Sequence, residues 1–217
     1  MRQLVKSLLP AALVPAARRA YRASVAARYR MFGHPPMTAE CSKARPRREQ
    51  EGFFRLYCQG QGLDVGFGGD LITPTATGYD FEHGDAQYLE GLADASFDFV
   101  HASHVIEHMV DPAVALHNWW RVVKPGGHLL LYLPHRDLYE KKTTLPSRWN
   151  ADHKHFFLVD RDELPVTIGV RPLLERSLPG GEIVYVRECR AGHTVTDPLV
   201  HSDGEYSIEA VVRKGRS

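Results

Sequence analysis

Residues 62–69, Gly-Leu-Asp-Val-Gly-Phe-Gly-Gly, constrain this chain more than any other stretch. An apolar run that meets an acid and then closely spaced glycines reads as a short buried strand ending in a turn open to a ligand. Glycine lets backbone N–H groups approach a bound group where a Cβ would intrude, and Asp64 at the strand end adds an acceptor. That is how a nucleotide-like cofactor is held. Gly66, Gly68 and Gly69 do not satisfy Gly-x-Gly-x-x-Gly, so the dinucleotide fingerprint is absent. Taken alone, the octapeptide fits equally well with a tight turn that binds nothing.

The residues around it follow a strand, helix, strand order. Residues 51–59 suit a short helix, 63–65 a buried strand, and 77–80 a second short strand that ends in Asp80. Residues 96–105 alternate apolar and polar side chains as a strand does, and 106–109 suit a helical turn. Asp111 and Pro112 form a helix start, an acid at the N-cap and proline at the first helical position, and that helix should run to about residue 123. Lys-Pro-Gly-Gly at 124–127 stops it, and the Leu-Leu-Leu-Tyr-Leu run at 129–133 suits a strand covered on both faces. This grammar predicts an α/β fold, a doubly wound and mostly parallel sheet with right-handed crossovers. Residues 135–160 are polar, aromatic and histidine-rich and read as an excursion, whereas 182–189 and 206–212 read as a closing antiparallel hairpin.

With 217 residues, 43% hydrophobic and 24% charged, the chain can bury one sizeable core. Its net charge of +1 points to no polyanionic partner, and no nucleic acid is expected. Cys41, Cys58 and Cys189 are odd in number and form no Cys-x-x-Cys pair, which fits a reducing, cytoplasmic compartment. Charge is uneven, however. Residues 1–39 hold no Asp or Glu but carry Arg2, Lys6, Arg18, Arg19, Arg22, Arg28 and Arg30. The apolar run at 8–17 is broken by Pro10 and Pro15 and is far short of the roughly 20 residues a bilayer span needs. Residues 1–50 therefore read as a basic arm followed by a Pro- and charge-rich linker, with the body at 51–217. Peripheral contact of residues 1–30 with the inner membrane surface is the favoured reading of the arm. A targeting segment and a helix packed on the body remain open.

The companions of the glycine turn raise its meaning. Asp80 ends the next strand, where an acid can accept ribose hydroxyls, and Gly84-Asp85-Ala86 follows as a step suited to an adenine edge. With Ser96-Phe-Asp-Phe-Val100, Ser103-His-Val-Ile-Glu-His108 and Arg121-Val-Val-Lys-Pro-Gly-Gly127, these segments closely resemble the class I S-adenosylmethionine-dependent methyltransferases, type 11-like, over residues 62–134 in consistent order. The resemblance implies a Rossmann-like sheet and S-adenosylmethionine as cofactor. It places Asp64, Gly66 and Gly68 at the methionine part, Asp80 on the ribose, Asp85 and Ala86 at the adenine, and Ser103 with His104 at the rim of the transfer site. Two departures stand out. Phe67 replaces a small residue or Cys, and only residues 81–84 separate Asp80 from Asp85, so the sheet should be trimmed on that edge with little helix after the glycines.

Methyl transfer from a sulfonium mainly requires alignment, and a hydroxyl acceptor gains from a base near neutral pKa. His104, His108, His153 and His155 are the candidates, with His135 behind them, and His104 leads because it follows a strand end facing the cofactor. A metal reading of His101, His104 and His108 is set aside, because strand spacing divides the first two between faces. No metal is therefore expected. His153-Lys-His-Phe156 resembles a stretch in some methyltransferases of polysaccharide and glycolipid assembly. The expected activity is methylation of a hydroxyl on a sugar or surface-polymer precursor, a small-molecule or saccharide substrate. A carboxyl or amine methyltransferase, or a non-catalytic cofactor-binding module partnering a glycosyltransferase, are the alternatives.

Overall fold

The structure, a computed structural model, describes residues 40–216 together with Ala20. The expectations for the basic arm lie outside the described residues.

Among residues 40–216 three short helices come first: α1 (Glu40–Lys43), α2 (Arg45–Gln50) and α3 (Phe53–Tyr57). Then follow β1 (Gly62–Val65), β2 (Thr77–Tyr79), β3 (Phe97–Ser103), a 3-10 turn at Ile106–His108, α4 (Pro112–Val122) and β4 (Val123–Pro134). A tight helical turn at Arg136–Glu140 leads to β5 (Phe156–Leu158), β6 (Thr167–Gly169), α5 (Val170–Ser177), β7 (Gly181–Cys189) and β8 (Ser207–Lys214). Six strands make one sheet in the order β2-β1-β3-β4-β8-β7. The first four run parallel, with Leu63 beside Val100 and Val100 beside Leu129, and β8 and β7 close the sheet antiparallel. This is the mostly parallel α/β sheet with a C-terminal hairpin that the sequence predicts. Its β2 edge is trimmed to a three-residue strand, and among the described residues no helix stands between β1 and β2.

Strand periodicity sorts the core. Leu63, Val65, Val100, Ala102, Leu129, Leu131, Leu133, Ile208, Ala210 and Val212 point to one face, where Trp119 of α4 and Leu173 and Leu174 of α5 cover them. Phe99, Leu130 and Val211 point to the other, under Cys41 and Phe53. Both faces of β4 are therefore buried, which is why 129–133 is continuously apolar. The α4 helix begins as expected: the Asp111 carboxylate accepts from the N–H groups of Ala113 at 2.9 Å and Val114 at 3.1 Å.

The linker expected through residue 50 does not extend over 40–50, which forms α1 and α2 against the sheet. Arg48 is 1% exposed. Its Nε donates to Glu209 Oε1 on β8 at 2.7 Å, and Arg47 bonds Glu209 and Glu205, so α2 is held by buried ion pairs and not by apolar contact alone. Ser42 likewise grips Asp70, through its N–H at 3.1 Å and its hydroxyl at 2.7 Å. Nor is 135–160 an open excursion: Leu138, Tyr139, Glu140, His153 and Phe157 are all buried.

Among the described residues no helix is long and apolar enough to cross a membrane.

Candidate functional site

The glycine turn lies at the C-terminal ends of β1 and β2. Gly66, Gly68 and Gly69 take φ of +65°, +59° and +95°, which disfavour any side chain with a Cβ. The Gly66 N–H donates to Tyr79 O at 2.7 Å, and the Gly68 N–H donates to Asp80 Oδ2 at 3.1 Å. Asp80 is buried and its other oxygen accepts from the Phe81 N–H at 2.8 Å, so the acid that ends β2 shapes the turn. A Cβ on Gly66 would lie 2.4 Å from Val105 Cγ2, which puts the turn directly against the corner after β3. A Cβ on Gly68 would meet nothing closer than the Gly66 carbonyl at 3.9 Å, so that side is open.

Asp64 faces away from this opening. Its Oδ2 accepts from the Ile72 N–H at 2.6 Å and its Oδ1 lies 2.7 Å from His101 Nδ1, all within the layer under α1–α3. Its carboxylate thus holds the chain leaving the turn. Phe67 does not crowd the opening either: its ring covers Gly78 of β2, where a Cβ would approach it to 2.5 Å. Asp85 is exposed and caps the Gln87 N–H at 2.8 Å, while the Ala86 carbonyl accepts from Trp119 Nε1 at 2.7 Å. Two hydroxyls near the strand ends are buried without a hydrogen-bond partner, Ser103 Oγ and Tyr79 Oη. The Tyr79 hydroxyl lies against Gly84, where a Cβ would approach it to 2.4 Å, and buried polar atoms left unsatisfied fit a polar ligand that would complete them.

Beyond the corner after β3 the chain gathers a cluster of polar and aromatic side chains, termed the chamber. His104 sits at φ +54°, an unusual backbone state for a residue with a Cβ. Its Nε2 is 3.0 Å from Ser207 Oγ and its Nδ1 is 3.7 Å from Glu107 Oε1. His108 and His153 bring their Nε2 atoms to 3.9 and 3.8 Å from that same oxygen. Tyr139 packs against His104, His153 and Tyr206, and Tyr206 donates to Glu40 Oε1 at 2.6 Å. Glu107 is fully buried with neither oxygen hydrogen-bonded, and desolvation pushes it up to about 7 against the pull of His153. Desolvation takes His104 down to about 4, with Glu40 opposing, and His108 likewise to about 4. For His153, burial would lower the imidazole, but the bond to Glu140 and the Glu107 charge raise it.

Three of the four histidine candidates, His104, His108 and His153, therefore converge. His155 does not: its Nε2 faces Val110 O at 3.4 Å. His135 caps the turn after β4 through the Asp137 N–H at 3.2 Å and faces Glu188. Glu107, Glu40, Tyr139 and Tyr206 were not singled out from the sequence, although Glu107 stands inside the Ser103–His108 segment. Two surface cavities of about 230 and 270 Å³ lie elsewhere, one beside Tyr57 and Tyr185 and one around residues 125–128 at the opposite strand ends.

Residues 70–131 match the methyltransferase domain family. The match spans 62 of the 217 residues. It covers the turn after the glycines, Asp80, Asp85, β3, the Glu107 corner, α4 and most of β4. The activity of this domain is S-adenosylmethionine-dependent methyl transfer, and the open side of Gly68 with the unsatisfied Ser103 hydroxyl suits that cofactor. Solved structures agree on the fold. A methyltransferase candidate from Bacillus halodurans C-125 aligns at 15% identity over 76% of this chain and 98% of its own, with a TM-score of 0.51. A protein of echinomycin biosynthesis that converts a disulfide bond into a thioacetal group aligns at 16% over 80% and 82%, with 0.52. The [4+2]-cyclase SpnF aligns at 16% over 84% and 85%, with 0.50. No curated protein matches the chain in sequence.

Proposed function

We propose that this methyltransferase domain methylates a hydroxyl of a sugar or a related surface-polymer precursor. When bound, the cofactor supplies an electrophilic methyl group, and the acceptor hydroxyl gives up a proton. Gly66, Gly68 and Asp80 are the proposed backbone and carboxylate cradle, with Asp85 and Ala86 toward the adenine and Ser103 between cradle and chamber. Asp64 supports this cradle from behind through Ile72. His104 is the proposed proton acceptor by its place at the corner between the glycine turn and the chamber, although burial, which lowers its imidazole to about 4, makes it a weaker base than the near-neutral one such an acceptor favours. The observation that carries the reading is that corner: Val105 abuts Gly66, while His104, His153, Glu107 and the tyrosines gather into one polar cluster beside it. Such a lining of alternating donors, acceptors and aromatic faces suits a polyhydroxylated acceptor better than an apolar one. Of the His153–Phe156 stretch, similar to polysaccharide-assembly methyltransferases, His153 belongs to that cluster. A basic arm at 1–39 resting on an anionic membrane would bring the domain to such precursors.

Calorimetry with S-adenosylmethionine on the wild type and Asp80→Ala, followed by methyl transfer to a panel of hydroxyl, carboxyl and amine acceptors, tests the reading. Binding by the wild type that weakens at least tenfold in Asp80→Ala is expected. Undetectable binding by both ends the methyltransferase reading. Turnover only on carboxyls or amines overturns the acceptor, and binding without turnover favours a non-catalytic module, an outcome given weight by the cyclase that shares this fold.

A further inference from the structure

Glu107 presents an unusual arrangement. Its carboxylate is 0% exposed, both oxygens lack a hydrogen-bond partner, and imidazole nitrogens stand 3.7 to 3.9 Å from Oε1. Those distances are too long for hydrogen bonds. They come within a few tenths of an ångström of the roughly 3.4 Å that separates two ligand atoms sharing one tetrahedral ion at about 2.1 Å. A buried carboxylate left without a hydrogen bond is costly unless something fills that space.

The far side of each ring supports the same conclusion. His153 Nδ1 lies 2.6 Å from Glu140 Oε1, His108 Nδ1 lies 3.3 Å from Asp152 O, and His104 Nε2 lies 3.0 Å from Ser207 Oγ. In each case one nitrogen is held by an oxygen, which turns the other toward Glu107. Carboxylate or carbonyl contact with the remote nitrogen is how metal-ligating histidines are oriented. Lys43 and Lys154, the lysines beside this group, direct their ammonium groups to Glu40 and Tyr206 and to the His108 carbonyl. Glu107, His108 and His153 offer ligand atoms within 4.8 Å of one another.

We propose that Glu107, His108 and His153 form a binding site for one divalent transition-metal ion. Two imidazoles and one carboxylate favour zinc, cobalt or nickel over magnesium, calcium or manganese, which prefer oxygen-rich sets. His104 stays outside the ligand set, with its Nδ1 beside it. Three protein ligands leave positions open toward the chamber. An acceptor hydroxyl that reached such an ion would be easier to deprotonate. That use rests on the methyl-transfer reading, whereas the site itself rests on geometry alone.

The test uses the full-length, untagged protein, stripped with chelator and titrated with cobalt(II), then analysed for metal content after loading with zinc. One equivalent of cobalt per chain, with a visible absorption band of low-coordinate geometry, is expected. Glu107→Gln and His153→Ala should each weaken binding at least a hundredfold, and His155→Ala should leave it unchanged. No saturable cobalt band, or equal affinity in Glu107→Gln and the wild type, overturns the site. Calorimetry with S-adenosylmethionine on the metal-free protein reports separately on the cofactor cradle, so the two readings can fail independently.

Discussion

Gly66 and Gly68 have nearly the same backbone angles but different surroundings. Alanine at Gly68 meets open space and should cost only the left-handed strain of about 1 kcal/mol. Alanine at Gly66 adds a collision with Val105 and should cost more than about 2 kcal/mol, read by urea denaturation. Cofactor affinity should show the reverse weighting, because a methyl group on Gly68 projects into the open side; calorimetry on both variants would reveal it. Equal stability loss in the two would mean the turn has been placed wrongly. At this scale the glycine turn and the acid that follows β2 were legible as structure, because they depend on spacing along one strand and one turn. Glu107 was not. A carboxylate between two apolar residues and a histidine looks like part of a solvated helical turn, and only the chain returning at residue 153 buries it.

The α2 helix shows how an element can be invisible in composition. Arg-Pro-Arg-Arg reads as linker, yet Pro46 lies in the first turn of α2, where a missing N–H is harmless, and Arg48 finds its partner Glu209 161 residues away. Burial alone would raise the Glu209 carboxyl, but Arg48, Arg47 and Arg187 hold it well below the usual carboxylate range. The sign follows. A carboxyl depressed in the folded state contributes its full stability above the unfolded value of about 4.3 and loses it as pH falls toward the folded value. Glu209→Ala, which leaves Arg48 buried and unpaired, should cost about 3–5 kcal/mol at pH 7. Urea denaturation at pH 7, 5 and 3 should show a steep acid loss in the wild type and a shallower one in Glu209→Gln; parallel slopes would refute the assignment. Elements set by local pattern, β1 to β4 and the Asp111-capped α4, were readable, whereas α1, α2 and α5 depend on partners far along the chain.

For the whole molecule, α1–α3 are part of the fold and of the site, since Glu40 reaches Tyr206 and lies 4.0 Å from His104. A chain beginning at Glu51 should melt about 10 °C or more below one beginning at Glu40. It loses the Arg48–Glu209 pair, and about 2–4 °C accompanies each kcal/mol at this size. Comparable melting of the two would show that α1 and α2 merely rest on the surface.

The strands, the glycine turn and the capped helix follow from periods of two and 3.6 residues and from turn chemistry, so they could be read from the chain alone, whereas the trimmed edge was read from the short Asp80–Asp85 gap against the resembled family, and the order of the strands only the structure gives. The chamber is of another kind. Glu40, His104, Glu107, His153 and Tyr206 share no local pattern, and they meet because the parallel register of β3 with β4 and the antiparallel return of β8 bring distant residues to one end of the sheet. Desolvation there decides which groups carry charge, and desolvation is a property of the packed molecule, not of any segment.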